Sequence, residues 1–487
     1  MRQHDTHMAA ALSCLASWLK AGMPRAPAEQ PRPEFCQINS SDKMNGDAQR
    51  AKLMYTGAFT WAGESVYATP MELFKPRRGG PAWTQELQGM TWLHDFAAEP
   101  KKLHAYYIVN LMAAWRANQL PLQDVTSEAD RLANMTACLP RIADHLDPQQ
   151  SATLATALSL QIQRLSRAKI KCTSDMVTKA IGILCAEYCL ASVDAGFATA
   201  QKLLELGLDQ IVLADGGPSQ GSLAEHLVRI KKLWQLENLT TQRGYCLTPT
   251  CQHAMDRIAS FVAMLMRRDG SLAFNNRSLL DLAAMPLTYR DTTAVALAQQ
   301  SGFARLEHGP AVLIASNQNA PDSPSMDFSV GRVPMMCFGH FASLNSTAPA
   351  ELNLQQTPMG SLLTLGWPEQ TRQVFVAASG LDMRIEDTLP QSLSPSNLRI
   401  DIDRKIKMSL SRNGNCASLA LPDRSHWQIS VRGSKMMSDG DDHALLLNVG
   451  SGSATCVNWA VKKIQPEKLD RNSRSSKQQA GPSDMFL

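Results

Sequence analysis

A phenol beside a guanidinium, a lone imidazole and a pair of amides are the side chains whose types could do chemistry here. Tyr289-Arg290 sits in the loop-like stretch Pro286–Thr293. A phenol at such a site can give or take a proton while the neighbouring cation clamps a carboxylate. His340, within Cys337-Phe338-Gly339-His340-Phe341, is a second acid or base candidate. Asn275 and Asn276 follow an Asp-Gly break and offer amide donors to a substrate carboxylate. Asp215 begins another such break, Asp215-Gly216-Gly217-Pro218, and is a candidate for lining a cleft. Each has a plainer alternative: a surface turn for Tyr289-Arg290, a structural imidazole between aromatics for His340, turn formation for the asparagines, and a helix stop for Asp215. His226 and Arg229 lie three apart on one helical face, which reads as solvated.

The elements that must position these groups change character along the chain. Gln201–Val212 carries apolar residues at helical spacing and is stopped by Asp215-Gly216-Gly217-Pro218, since Gly takes positive φ freely and Pro cannot continue the ladder. Ser222-Leu223-Ala224-Glu225 is a capping box that opens a helix through Leu239. A further helix, Thr250–Arg268, ends at Arg268-Asp269-Gly270. Upstream, the spacing predicts helices over Trp83–Phe96, Lys102–Asn118, Ser127–Leu146, Gln149–Ala168, Ser174–Asp194 and Gly196–Val212, with Pro121, Pro140 and Pro148 as punctuation. Met54–Val66 reads as a short hairpin.

After Ser301 the pattern turns to strands. Phe303–Ala315 reads as two strands around His308-Gly309-Pro310, and Met326–Phe338, Ser361–Leu365, Gln373–Ala378, Leu398–Leu410, Cys416–Leu421, Trp427–Val431, His443–Val449 and Ala454–Ile464 follow. Leu398-Arg399-Ile400-Asp401-Ile402-Asp403 alternates strictly, with one apolar and one charged face. The expected domains are a polar extension over 1–53, a helical domain over 54–300, a sandwich over 301–465 and a disordered tail over 466–487.

Composition narrows the class. The chain has 487 residues, 44% hydrophobic and 19% charged, which suits a soluble multidomain protein and excludes a disordered or fibrous one. The net charge of +4 is small for this length, and the basic residues that stand out, Lys462-Lys463 among them, gather in the Ser-rich C-terminal end. That end reads as a solvated terminus, so no nucleic-acid partner is expected. Eleven cysteines with no Cys-x-x-Cys pair point to free thiols; Cys185 and Cys189 have core spacing. No run of 18 apolar residues is present, so no transmembrane segment is expected. Met8–Leu19 reads as an N-terminal helix rather than a clear signal peptide.

Several local stretches, in order, carry a resemblance: Trp92-Leu93-His94-Asp95-Phe96, Leu213-Ala214-Asp215-Gly216-Gly217-Pro218, Asp269-Gly270-Ser271-Leu272-Ala273-Phe274-Asn275, Ser301-Gly302-Phe303-Ala304-Arg305-Leu306, Val312-Leu313-Ile314-Ala315 and Met326–Arg332. Through them the chain resembles the heparinase II/III-like family of polysaccharide lyases, over about residues 55–465 and best between 200 and 340. The resemblance implies a multidomain α+β fold: an N-terminal incomplete (α/α) toroid followed by a C-terminal antiparallel β-sandwich, with a glycan cleft. It implies β-elimination on a uronic-acid-containing polysaccharide, and a periplasmic or cell-envelope setting, with the cytoplasm left open by the unclear signal. Active members are expected to supply His from the first sandwich strands, sometimes with a metal beside them. This chain departs there. The loop Asn319–Ser325 lacks the family's His, Met359-Gly360-Ser361 replaces a second, and Ile400-Asp401-Ile402-Asp403 carries Asp where a third is expected. No metal site and no cofactor are therefore expected. Two readings follow: a lyase using His340 and Tyr289, with Asn275, Asn276, Arg290 and Asp215 holding substrate, or a degraded homologue that binds glycan or acts as a scaffold. Trp115 and Trp234 could stack on sugar rings, but at helical spacing they read as core.

Overall fold

A computed structural model describes residues 34–36, 46–75, 79–118, 124–191, 196–274, 292–317, 325–339, 351–367, 370–389, 396–439, 443–449 and 456–464. Contacts divide the chain into two units: Met1–Met264 with Asn276–Ser301, and Leu265–Asn275 with Gly302–Leu487.

The first unit is helical. Its described helices are α1 (Ala48–Tyr55), α2 (Pro70–Leu73), α3 (Pro81–Gly89), α4 (Leu93–Ala98), α5 (Lys102–Ala117), α6 (Val125–Ala143), α7 (Pro148–Arg167), α8 (Thr173–Cys189), α9 (Gly196–Ile211), α10 (Leu223–Gln242) and α11 (Pro249–Leu265). A hairpin, β1 (Ala58–Trp61) and β2 (Glu64–Tyr67), follows α1. Short acidic caps start several helices: Asp47, Asp124 and Asp147 accept backbone N–H bonds from Gln49, Ser127 and Gln150. Each such cap contributes about 1 kcal/mol. The Ser222–Glu225 capping box closes with both reciprocal bonds. Every residue of α8 from Val177 to Cys189 is buried, including Lys179, whose ammonium donates to the Ser166 and Ala168 carbonyls, both at 2.7 Å. It packs against α6, α7, α9 and α10.

Three local expectations are corrected. Trp83–Phe96 is two helices, separated at Met90, which takes φ 57°. The carbonyls freed at the end of α3 find side-chain donors: Trp92 Nε1 to Leu87, Arg131 Nε to Gln88 and Asn134 Nδ2 to Gly89. Pro140 does not end its helix; it lies inside α6. The carbonyl it leaves without an N–H, that of Thr136, accepts from the Cys189 thiol at 3.7 Å. The polar extension expected over 1–53 ends inside a helix, α1. Met8–Leu19 lies outside the described residues.

After β3 (Leu297–Ala298), which the division assigns to the first unit, the second unit holds β4 (Phe303–His308), β5 (Ala311–Ser316), β6 (Met326–Val330), β7 (Val333–Phe338), β8 (Glu351–Thr357), β9 (Gly360–Gly366), β10 (Thr371–Ala377), β11 (Asp382–Thr388), β12 (Ser396–Ile402), β13 (Lys407–Leu410), β14 (Cys416–Ala420), β15 (His426–Arg432), β16 (Lys435–Asp439), β17 (Ala444–Val449) and β18 (Cys456–Ile464). They form two eight-stranded sheets, ordered β13-β14-β15-β18-β11-β10-β9-β8 and β16-β17-β12-β7-β6-β5-β4-β3. The described pairings are antiparallel. Edge-to-face rings join the sheets' inner faces: Phe328 meets Trp427 at 6.3 Å and Phe338 meets Trp459 at 5.0 Å. Leu398–Leu410, read as one strand, is two strands in different sheets, with a turn closed by Ile406 N–H to the Asp403 carbonyl. Lys462 and Lys463 belong to β18 rather than to a tail.

Candidate functional site

Strand alternation decides where the sandwich puts its charges. In Met326-Asp327-Phe328-Ser329-Val330, Met326 and Phe328 share the face that meets the other sheet, so Asp327 points the other way. Register carries that face across neighbouring strands: Asp327 pairs with Cys337, and Cys337 with Asp401. Two residues along β12 lies Arg399, and on β16 Asp439 pairs with Ala444 of the strand between. The outer face of this sheet is thus a row of ionisable groups.

Asp327 is its most engaged member. Arg267, just after α11, grips both carboxylate oxygens, with Nε to Oδ1 at 2.6 Å and Nη2 to Oδ2. The Phe274 N–H and the Cys337 thiol also donate to Oδ2, at 2.9 and 3.0 Å. Arg267 spreads its remaining donors over Ser271 Oγ and the Leu272 carbonyl. Both partners are almost fully buried, so this is a desolvated ion pair saturated by hydrogen bonds. Burial would lower the Arg267 value, but Asp327 outweighs it and holds the guanidinium charged. Burial, with Asp327 adding to it, pushes the Cys337 thiol far up, so it is a donor and not a thiolate nucleophile.

The rest of the row is also matched with arginine. Glu307 accepts from Arg268 at 2.8 Å and from Arg305 at 2.7 Å. Its burial is outweighed by these cations, which keep the carboxyl below its usual range. Arg399 bonds Asp401 at 2.7 Å and Asp439 at 2.5 Å. Between the sheets a second buried pair, Arg372 and Asp387 at 2.6 Å, is completed by Trp459 Nε1, the Gly339 carbonyl and the Phe338 ring. These residues do not fit a metal: the buried Asp327 and Asp387 are each neutralised by arginine, and no group of three or more His, Cys, Asp or Glu positioned for a metal lies among the described residues. His308 Nε2 lies 2.7 Å from Ser361 Oγ, in the stretch where the resemblance expected another histidine.

Among the sequence-stretch candidates, Asp215 is the one described. Its Oδ1 accepts from Gly217 N–H at 3.2 Å and its Oδ2 from Ser301 N–H at 2.8 Å. That is the geometry of a turn tied to a distant segment of the same unit. His226 and Arg229, expected on a solvated face, are buried, because the loop 213–222 folds back over the first turns of α10. His226 Nε2 donates to the Gly216 carbonyl at 3.1 Å, and burial pushes its pKa down to about 4, so the ring is neutral. Trp115 and Trp234 are core residues, and the Arg131 guanidinium lies 5.1 Å over the Trp115 ring. Asn275, Asn276, Tyr289, Arg290 and His340 lie outside the described residues. Their described neighbours are anchored: Phe274 by Asp327, and Gly339 by Arg372.

Sequence reading missed Arg267, Asp327, Arg372 and Asp387. The alternation of Met326–Val330 carried a signal for Asp327, an acid in step with Ser329 and out of step with the core. No local signal could name its partner 60 residues earlier.

No protein-family model matches the chain, and no curated protein matches it by sequence. Solved structures do. A crystal structure of heparinase III matches with a TM-score of 0.63 at 11% identity, over 95% of this chain and 90% of that one. A heparinase III with methylated lysines matches at 0.61 and 11%, over 96% and 90%. A mutant of the heparan sulfate lyase HepC from Pedobacter heparinus matches at 0.56 and 13%, over 95% and 89%. The chain has the fold of heparinase III. Its helical half is accordingly an incomplete (α/α) toroid, and its C-terminal half an antiparallel β-sandwich. Among the described residues, no helix is long and apolar enough to cross a membrane.

Proposed function

We propose that this heparinase-fold protein binds an acidic, uronic-acid-containing polysaccharide of the glycosaminoglycan type and cleaves it by β-elimination. Asn275, Asn276, Arg290 and Asp215 hold the substrate, with the amides and the guanidinium on its carboxylate. Stabilising charge on that carboxylate acidifies the adjacent carbon. Tyr289 or His340 takes the proton, and the other protonates the departing glycosidic oxygen. The C–H electron pair becomes the new carbon–carbon double bond as the carbon–oxygen bond breaks, with no cofactor. One observation carries the site: Phe274, next to Asn275, and Cys337, three residues before His340, donate to the same oxygen of Asp327. The cell envelope is the setting in which such polysaccharides are met.

A second reading has its own support. Asp327, Glu307, Asp401 and Asp439 on the sandwich face are each committed to an arginine, leaving that face matched in charge. A homologue that binds glycan without cutting it would keep such a face. Ultraviolet absorbance separates the two, because the elimination product conjugates its new double bond to the carboxylate. Absorbance should rise with one member of a uronic-acid polysaccharide panel, and His340→Ala or Tyr289→Phe should abolish the rise. A flat trace with retained binding rejects the lyase and leaves the binder.

A further inference from the structure

The hairpin β1–β2 and the α3–α4 region of the helical unit border a half-open cavity of about 180 Å³ that the reading above does not use. It is lined by Arg50, Trp61, Ala62, Glu86, Thr91 and Asp95. Two of these are largely buried residues that each turn one polar atom to the cavity without a protein partner among the described residues. Asp95 is 1% exposed, and both of its partners, Asp47 N–H at 2.8 Å and Arg50 Nη2 at 2.9 Å, bind the same oxygen, Oδ1. Its Oδ2 has no donor among the described residues. Trp61 is 6% exposed, and its indole N–H has no acceptor among the described residues. The neighbouring indoles contrast with it: Trp83 Nε1 donates to the Phe59 carbonyl and Trp92 Nε1 to that of Leu87. Both atoms reach the open side of the cavity, where water meets them until a ligand hydroxyl takes its place. Opposite them Glu86 gives one oxygen to Thr91 Oγ at 2.7 Å. Ala62, in the turn that presents Trp61, holds φ 51°, a conformation that disfavours a side chain.

We propose that this cavity is a binding site for a single neutral sugar ring. A hydroxyl both donates and accepts, and the cavity offers each complement: Asp95 and Glu86 accept, Trp61 and Arg50 donate. Two carboxylates against one guanidinium leave it net negative, so a uronate or sulfated ring meets like charge. The volume lies below the roughly 300–1,000 Å³ of sites for drug-sized ligands and suits one ring rather than a chain. Burial raises the Asp95 pKa, and the Asp47 N–H and Arg50 pull it back towards the charged form that the site needs. The site goes beyond the elimination reading and does not depend on it.

Calorimetric titration of the full chain with D-glucose, N-acetyl-D-glucosamine and D-glucuronate tests the assignment. At least one neutral sugar should bind saturably, and glucuronate about tenfold more weakly. Glu86→Gln, at an exposed position that leaves the fold intact, should narrow that discrimination to about threefold. Trp61→Phe, which removes the indole donor together with part of a ring packed on Phe59 and Trp83, should weaken the neutral sugar about fivefold or more while the thermal unfolding midpoint shows the chain still folded. No saturable binding of either neutral sugar, glucuronate binding as well as they do, or both variants behaving as the parent would each overturn the site. Elimination is read by absorbance at other residues, so failure of either proposal leaves the other testable.

Discussion

Asp215-Gly216 and Asp269-Gly270 each follow a helix, and each glycine sits in the left-handed region, at φ 84° and 81°. Each is also flanked by one isolated antiparallel bridge, Val212 with Pro218 and Met266 with Leu272. The likeness ends with the local geometry. A Cβ on Gly216 would lie 2.0 Å from the Arg257 carbonyl oxygen, whereas one on Gly270 would meet nothing within 4 Å. Asp215 reaches Ser301, 86 residues on, while Asp269 accepts from the N–H and hydroxyl of Ser271 two residues away. At the second break the long tether comes instead from Arg267, through Asp327. A turn signature fixes the backbone conformation; what surrounds it fixes how much it matters.

The largest effect should come from the tether of the second break. Arg267→Ala leaves Asp327 charged and buried without a counter-ion, and should cost about 3–5 kcal/mol in urea unfolding. The double variant Arg267→Met, Asp327→Leu should recover most of it. An Arg267→Ala cost under about 1 kcal/mol would remove the tether from the argument.

Next comes the contrast between the glycines. Alanine at 216 combines left-handed strain with a backbone collision and should cost roughly 3 kcal/mol or more, while alanine at 270 should cost only the strain, about 1–2 kcal/mol. Equal losses in thermal unfolding would break the comparison.

Acid should act on the first break through His226, which donates to the Gly216 carbonyl. Its folded pKa of about 4 lies below the 6.5 of a free histidine, so the unfolded chain binds the extra proton between those values. The stability it contributes is complete above pH 6.5 and is lost as pH falls towards 4, by roughly 3 kcal/mol in all. His226→Gln should flatten that part of the pH–stability curve; an unchanged curve would mean another group titrates there. The smallest effect separates the aspartates. Asp215→Ala should cost about 1–2 kcal/mol by orphaning the Ser301 N–H, and Asp269→Ala less than about 1 kcal/mol, because water replaces it.

What could be read locally was read well. The Ser222–Glu225 box closed as a box, because both of its bonds lie within four residues. The alternation of Leu398–Ile402 held, with Leu398, Ile400 and Ile402 buried and Arg399 and Asp401 on the charged face, because side-chain direction along a strand has a period of two. Where reading failed, the deciding partner was distant. Met90 breaks a continuous apolar pattern because Arg131 and Asn134, more than 40 residues on, take the freed carbonyls. The candidates Asn275, Asn276, Tyr289, Arg290 and His340 stand on residue type and on their anchored neighbours, Phe274 and Gly339.

By itself the sequence determined the order of helices and then strands, their capping and turns, and a likeness to a lyase family, all properties of neighbouring residues and their periodicity. Only the tertiary structure decided that His226 and Arg229 are buried, that Pro140 is tolerated, that β12 and β13 part into different sheets, and that Arg267 finds Asp327. The reason is the range of the interactions. Dihedral preference and hydrophobic period act over a few residues, whereas desolvation and charge pairing depend on which distant residues come to share one low-dielectric space.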